Sequence, residues 1–441
     1  MTGFEIGLIS VLAMLLLIYF GMYVPVVLAL LSFLGVLFIR GDFFVATDLL
    51  VLSASKAVSD FLFGVIPLFV LMGLLVGQAD LARDTYQVAN AAFRKLRGGL
   101  GIATVVANAI FAAITGISIA SAAVFSRVAV PEMLSYGYNK RFAVGVVAGS
   151  SVLGMLIPPS ILLIVYAILT EQSVGDMFIA GIMPGLLLSS VFCIGILACG
   201  YLKPSMIQPL SEKKLVDDSV VEMSWGEVAK KMFPIVSLIV VVLGGIYGGV
   251  FTPTEAGAAG AFGALVIALL KRKLTFSSSW RILVETGHVT ATVLFLIIGA
   301  TMYSRMLGMS GLPTEIQTLI LGMDASFVTL IIFYVLLMIL LGTVIDAISV
   351  MLITVPLFVG VLQPFGIDLI WFGIITVIGV EIGLLTPPMG ISVYVIKSSL
   401  NDARITLWDI FAGAAPFALA MLFVLILLII FPGIVTFLVY L

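Results

Sequence analysis

Residues 150–166 read SSVLGMLIPPSILLIVY and residues 379–395 read GVEIGLLTPPMGISVYV. Each carries a glycine four residues ahead of a Pro-Pro pair within an otherwise apolar run. Gly154 precedes Pro158-Pro159, Gly383 precedes Pro387-Pro388, and all three positions match at one offset of 229 residues. Proline lacks a backbone donor and clashes with the carbonyl four residues back, while glycine relaxes the backbone angles. The stretch therefore predicts a helix broken in mid-course. Its repetition at about half the chain length predicts an internal duplication.

The setting of these breaks follows from composition. Hydrophobic residues make up 62% of the 441 residues and charged residues 10%, with a mean hydropathy of +1.30. Many uncharged runs approach the roughly 20 residues needed to cross a bilayer, which predicts a polytopic all-α membrane protein. The alternation of a membrane barrel is absent. Unwound backbone inside a bilayer persists only where protein or a water-lined cavity satisfies it, and paired breaks at matching positions mark a binding site in transport proteins. Net charge of −2 carries little information about partners where most of the surface faces lipid, and no nucleic-acid partner is expected. Cys193 and Cys199 read as inert packing residues, and the single histidine, His288, forms no metal cluster and reads as a packed or hydrogen-bonded side chain. The first 20 residues lack a basic segment and a cleavage site, so they read as a retained span.

Outward from the breaks, residues 99–133 and 326–360 are each apolar with a polar knot at the centre: Thr115-Gly116-Ile117-Ser118 with Ser121, and Gly342-Thr343 with Asp346 and Ser349. Half of such a stretch rises only about 22 Å, short of a core of roughly 30 Å, so each reads as a re-entrant hairpin with its tip at the knot. The first half then comprises spans at 4–20, 22–39 and 60–78, an interfacial helix at 79–97 with Leu81, Val88, Ala92 and Leu96 on its apolar face, hairpin 99–133, broken helix 139–170 and span 176–202. The second comprises spans at 232–250, 254–271 and 282–303, hairpin 326–360, broken helix 366–400 and span 406–438. The halves, 1–202 and 232–441, are joined by the polar segment 203–231, expected to be cytoplasmic. Five crossings per half, one of them broken, is an odd number and makes the repeats inverted. On this topology 18 of the 21 Lys and Arg residues share one face; Arg40, Lys56 and Arg305 are the exceptions. That bias puts the basic face inside and both termini outside.

The tips and breaks gather hydroxyls and freed carbonyls: Thr115, Ser118, Ser121, Ser150 and Ser151 in one half, Thr343, Asp346, Ser349 and Thr386 in the other. Such oxygens suit a hard cation like sodium, although any single hydroxyl also has the option of bonding back to its own helix. Asp346 and Glu381 are the acids nearest the breaks, and a charge at mid-membrane needs a partner. They read either as a proton or cation site or as structural carboxylates. Thr252-Pro253-Thr254-Glu255 reads as a capping box with proline at the first helical position. No nucleophile has a histidine neighbour, and there is no phosphate-binding or dinucleotide fingerprint. An enzyme is not indicated, and transport would run on a gradient.

The runs GLLVGQAD (73–80), FAAITGISIASAA (111–123), GSSVLGMLIPPS (149–160), GVFTPTEAGA (249–258), GTVIDAISVMLITVP (342–356) and EIGLLTPPMGISVYV (381–395) resemble the large DctM-type subunit of tripartite ATP-independent periplasmic (TRAP) transporters, and the likeness spans essentially the whole chain. The resemblance implies an elevator-type, sodium-coupled importer of organic acid anions in a bacterial inner membrane. It implies a periplasmic substrate-binding protein and a smaller DctQ-type membrane subunit as a separate chain. It places a first sodium site at Thr115, Gly116, Ser118, Ser121, Ser150, Ser151, Gly154 and Pro158, and a second at Gly342, Thr343, Asp346, Gly383, Thr386 and Pro387. The substrate would lie between the tips, near Ser118, Pro159, Ser160, Ser349 and Pro388. The competing designs are a single-component sodium/anion symporter or a sodium/proton antiporter of similar fold.

Overall fold

The computed structural model describes residues 2–59, 61–207, 223–322, 326–362 and 365–441, all in helices and short connections. Helices α1 (Gly3–Tyr19), α2 (Val24–Arg40) and α3 (Phe43–Ser59) lead to α4 (Val65–Gln78), which turns through 63° into α5 (Leu81–Phe93). A hairpin follows, α6 (Gly99–Thr115) and α7 (Ser118–Ser135). The first broken helix comprises α8 (Lys140–Ser151), α9 (Leu153–Leu156) and, bent by 40°, α10 (Ile161–Leu169), before the long α11 (Val174–Leu202). The second half runs α12 (Trp225–Ile239), α13 (Gly245–Tyr247), α14 (Pro253–Leu270), α15 (Phe276–Ser310) and α16 (Leu312–Gly322). The hairpin α17 (Phe327–Gly342) and α18 (Ala347–Leu362), the broken helix α19 (Leu369–Leu384) and α20 (Ile391–Leu400), and α21 (Leu407–Ile430) with α22 (Gly433–Thr436) complete it.

Local chemistry accounts for the boundaries. Thr252 and Glu255 cap α14 reciprocally, with Pro253 opening the helix, as the sequence predicts. The span expected from 232 begins seven residues earlier because Ser224 and Glu227 form a second capping box. Of the connecting segment 203–231, residues 208–222 lie outside the described residues. Helix α3 has no counterpart in the sequence reading, where its polar residues Asp48, Ser53 and Lys56 masked a 17-residue helix that packs on α2 and α15. Helix α5 is amphipathic as expected, but its buried face is Leu81, Ala82, Thr85, Tyr86 and Ala89. Ala92 and Leu96 are exposed because the fully buried Tyr86 ring sets the rotation against α6. His288 is likewise exposed on α15 and not packed.

Packing between the halves is reciprocal. Helix α2 packs on α15 while α4 packs on α14; α8 packs on α21 while α19 packs on α11; α10 packs on α18 while α20 packs on α7. Each pair exchanges equivalent elements of the two halves, the signature of a pseudo-two-fold arrangement. Several of the basic residues are paired. Lys271 pairs with Asp84, and Lys273 with Asp80 at 2.7 Å; Lys140 and Arg141 both reach Asp409, at 2.7 and 3.0 Å. Arg97 stacks over the Tyr201 ring.

The tightest joint is between α8 and α21. A Cβ on Gly145 would run into the Gly413 carbonyl, and one on Gly413 into the Arg141 carbonyl, so the two backbones touch. Gly413→Ala is therefore expected to destabilise by about 1–3 kcal/mol through overpacking. Gly195→Ala, at a position with open space around it, gains helix propensity without a clash and serves as the control. Thermal unfolding of the detergent-purified protein separates them: a melting temperature for Gly413→Ala at or above that of Gly195→Ala would refute the contact.

Candidate functional site

The first hairpin tip is seated in the first break. Gly116 adopts a left-handed backbone (φ 64°) and Ile117 an extended one, which reverses the chain between α6 and α7. The Ile161 amide, freed by the break, donates to the Gly116 carbonyl at 3.3 Å. The approach requires glycine on both sides. A Cβ on Gly116 would lie 2.5 Å from the Pro159 carbonyl oxygen, and one on Gly154 would lie 3.0 Å from the Ile117 carbonyl and the Ser118 amide nitrogen. Helix α4 closes on the same tip, with Gly73 against the Thr115 carbonyl. The Pro158-Pro159 bond is cis.

The second half repeats this joint. The Gly390 amide donates to the Thr343 carbonyl at 3.1 Å, and Gly342 and Gly383 meet with a hypothetical Cβ on Gly383 only 2.7 Å from the Gly342 Cα. Pro387-Pro388 is also cis. Both hairpins are further pinned by a polar pair 42 residues apart. Asn108 donates to Ser150 Oγ at 2.7 Å, and the Tyr334 and Thr376 hydroxyls lie 2.8 Å apart. The joints differ in access. Pro158, Pro159 and Ser160 are buried, whereas Pro387, Pro388 and Met389 are exposed.

Most of the expected site hydroxyls bond back along their own chain. Thr115 donates to the Phe111 carbonyl (3.1 Å), Ser151 to Ala148 (2.8 Å), Thr343 to Leu340 (2.8 Å) and Thr386 to Ile382 (2.7 Å). A hydroxyl that donates backward keeps its lone pairs free, so local bonding does not remove these oxygens as cation ligands. Ser160 caps α10 and donates to the Met155 carbonyl at 2.6 Å. Asp346 accepts from the Ser349 amide and hydroxyl, at 3.0 and 2.5 Å, and so caps the first turn of α18. Ser121 Oγ is buried without a partner.

One bond joins the halves at this level. The Ser118 hydroxyl, at the start of α7, donates to Glu381 Oε1 at 3.1 Å, and Glu381 is fully buried with Oε2 unpartnered. No side chain of its own segment caps α7, and the positive end of a helix dipole favours a nearby carboxylate. Sequence reasoning flagged Glu381 as an acid in need of a partner but did not place it with Ser118, from the other half of the chain. It passed over Asn108 and Gly390. Asn108, an amide within an apolar run, and Gly390, at the 229-residue offset from Ile161, were the signals available.

The chain matches the family described as tripartite ATP-independent periplasmic transporter, DctM component, over residues 11–434. It is 36% identical over 333 residues to the C4-dicarboxylate TRAP transporter large permease protein DctM of Pseudomonas aeruginosa, covering 75% of each chain. It is 30% identical over 372 residues to the sialic acid TRAP transporter large permease protein SiaM of Vibrio cholerae, covering 83% of each. Among solved structures, the YdaH transporter of Alcanivorax borkumensis shares the fold with a TM-score of 0.53, at 14% identity, covering 86% of this chain and 87% of that one.

The two acids are expected to respond differently to substitution. Asp346→Ala removes a cap and should cost about 1 kcal/mol, while Asp346→Asn keeps an accepting oxygen and should cost less. Glu381→Ala opens a buried cavity beside Ser118 and should cost more than either. Melting temperatures of the three variants test the order, and an Asp346→Ala protein as stable as Asp346→Asn would remove the capping role.

Proposed function

The chain belongs to the DctM-component family of tripartite ATP-independent periplasmic transporters, and from that premise we propose that it is the large membrane subunit of a sodium-coupled secondary importer of organic acid anions. A periplasmic substrate-binding protein delivers the anion, and a smaller membrane subunit completes the complex. The observation that supports this reading is the doubled joint in which each hairpin tip bonds to its own break, Gly116 to Ile161 and Thr343 to Gly390. Both joints carry hydroxyl and carbonyl oxygens, among them those of Thr115, Ser118 and Thr343, the kind of donor a hard cation takes.

In the proposed cycle the hairpins and broken helices move together as an elevator against α1–α4 and α12–α15. Sodium binds where each tip meets its break, and the carboxylate is held between the tips. The protein sits in the bacterial inner membrane with its basic face, at Lys140, Arg141, Lys271 and Lys273, toward the cytoplasm and both termini outside. The two relatives' names carry different organic acids, and the substrate class proposed for this chain is organic carboxylates without a choice among them.

Uptake into proteoliposomes containing the chain, the small subunit and the loaded binding protein tests the proposal. An inward sodium gradient should be required. Ser118→Ala and Thr343→Ala should each raise the sodium concentration for half-maximal uptake roughly 5- to 30-fold, the effect of about 1–2 kcal/mol in ion affinity. Full uptake in sodium-free buffer would overturn the coupling, and uptake without any binding protein would favour a single-component symporter.

A further inference from the structure

Three cations, Arg40, Lys56 and Arg305, stand apart from the basic face in the sequence, and two of them line one cavity. The cavity measures about 520 Å³ and lies between α3 and α15 on one side and α10 and α18 on the other. Lys56 and Ser53 come from α3, Arg305 and Ser304 from α15, and Glu171 and Gln172 from the turn after α10. Arg281 and Arg305 are 24 residues apart on α15, about 36 Å along the axis at 1.5 Å per residue. The cavity therefore opens at the membrane face opposite the Lys271–Lys273 turn.

Its electrostatics are unbalanced. An Arg305 Nη1 donates to Ser53 Oγ at 3.4 Å, and among the described residues it makes no ion pair. The Lys56 ammonium likewise has no described partner. Glu171 is the one acid among the described lining, so two cations stand against one carboxylate. Cations placed against the prevailing charge bias of a membrane protein, converging on one cavity from two helices, repel each other unless an anion joins them. The volume falls in the usual range for small-molecule sites. The lining also reaches inward to Ser53, Val165 and Leu352, all buried, deeper than a lipid headgroup resting at the rim.

We propose that this cavity is an acceptor site for a compact organic dianion, its two cations carried by α3 and α15. Arg305 presents a planar fork to one anionic group, and Lys56 supplies a point charge for the second. Lys56 thereby sets a preference for two negative charges over one. The inference rests on the reading of the chain as an organic-anion carrier and deepens it. The site's two cations stand on α3 and α15, outside the hairpins and broken helices, and its lining contains none of the candidate sodium ligands, so it binds without sodium.

The experiment is equilibrium binding of labelled succinate to the full-length chain in nanodiscs of zwitterionic lipid, in sodium-free buffer, with succinate and butyrate as competitors. Succinate should compete at about tenfold lower concentration than butyrate, the effect of one charge-assisted contact. Lys56→Gln should bring the two within about twofold, Lys56→Arg should retain the preference, and Arg305→Gln should weaken both competitors. An unchanged succinate-to-butyrate ratio in a Lys56→Gln protein that melts like the wild type overturns the proposal. So does loss of succinate binding when anionic lipid is added, with that lipid retained only when Lys56 is present, because the occupant is then a headgroup. Dianion binding here together with sodium-independent uptake would instead count against the coupling mechanism alone, and sodium-driven uptake with no Lys56 effect would count against this site alone.

Discussion

A broken helix inside a membrane protein leaves amides and carbonyls without helical partners, and the rest of this structure follows from where they find new ones. Each break is answered by the tip of the hairpin that precedes it. The Ile161 amide meets the Gly116 carbonyl, and the Gly390 amide meets the Thr343 carbonyl. Glycines at 116, 154, 342 and 383 are required because the two irregular backbones must approach within the radius of a methyl group. The hairpins are thus part of the breaks: neither could sit in a bilayer without the other.

The two joints are alike in backbone and different in charge. At the second tip Asp346 caps the helix it precedes, a local solution available because an acid lies three residues ahead of Ser349. At the first tip α7 starts without a side-chain cap, and the acid comes from α19 in the other half, through Ser118 and Glu381. That bond ties one half's tip to the other half's broken helix. Access differs as well. Gly181 and Gly185 of α11 let that helix close over Leu156 and Ile157 at the first break, while Pro387 to Met389 of the second face outward.

Charge distribution adds a second layer of asymmetry. Basic side chains pair with acids from distant segments, Lys140 and Arg141 with Asp409, Lys271 with Asp84 of α5 and Lys273 with Asp80 just ahead of it. Lys56 and Arg305 share a cavity at the seam between α3 and α15 on one side and α10 and α18 on the other. Position relative to that seam, more than the charge itself, gives these residues their meaning.

Backbone chemistry is local, and what is local was legible in the sequence. Proline pairs, glycines four residues ahead of them, polar knots midway along apolar runs and the capping box at Thr252 determined where helices start, break and reverse, and the 229-residue offset determined that the pattern occurs twice. Sequence order hid what depends on rotation and on partners far along the chain. Helix α3 was obscured by its polar residues Asp48, Ser53 and Lys56, two of which line a cavity, α5 turned to bury Tyr86, and Asn108 meets Ser150 only where the hairpin packs against the break. The pairing of Ser118 with Glu381, 263 residues away, and of Lys56 with Arg305 in one cavity, was decided by tertiary structure alone. No periodicity within one segment encodes which face of a distant helix will meet it.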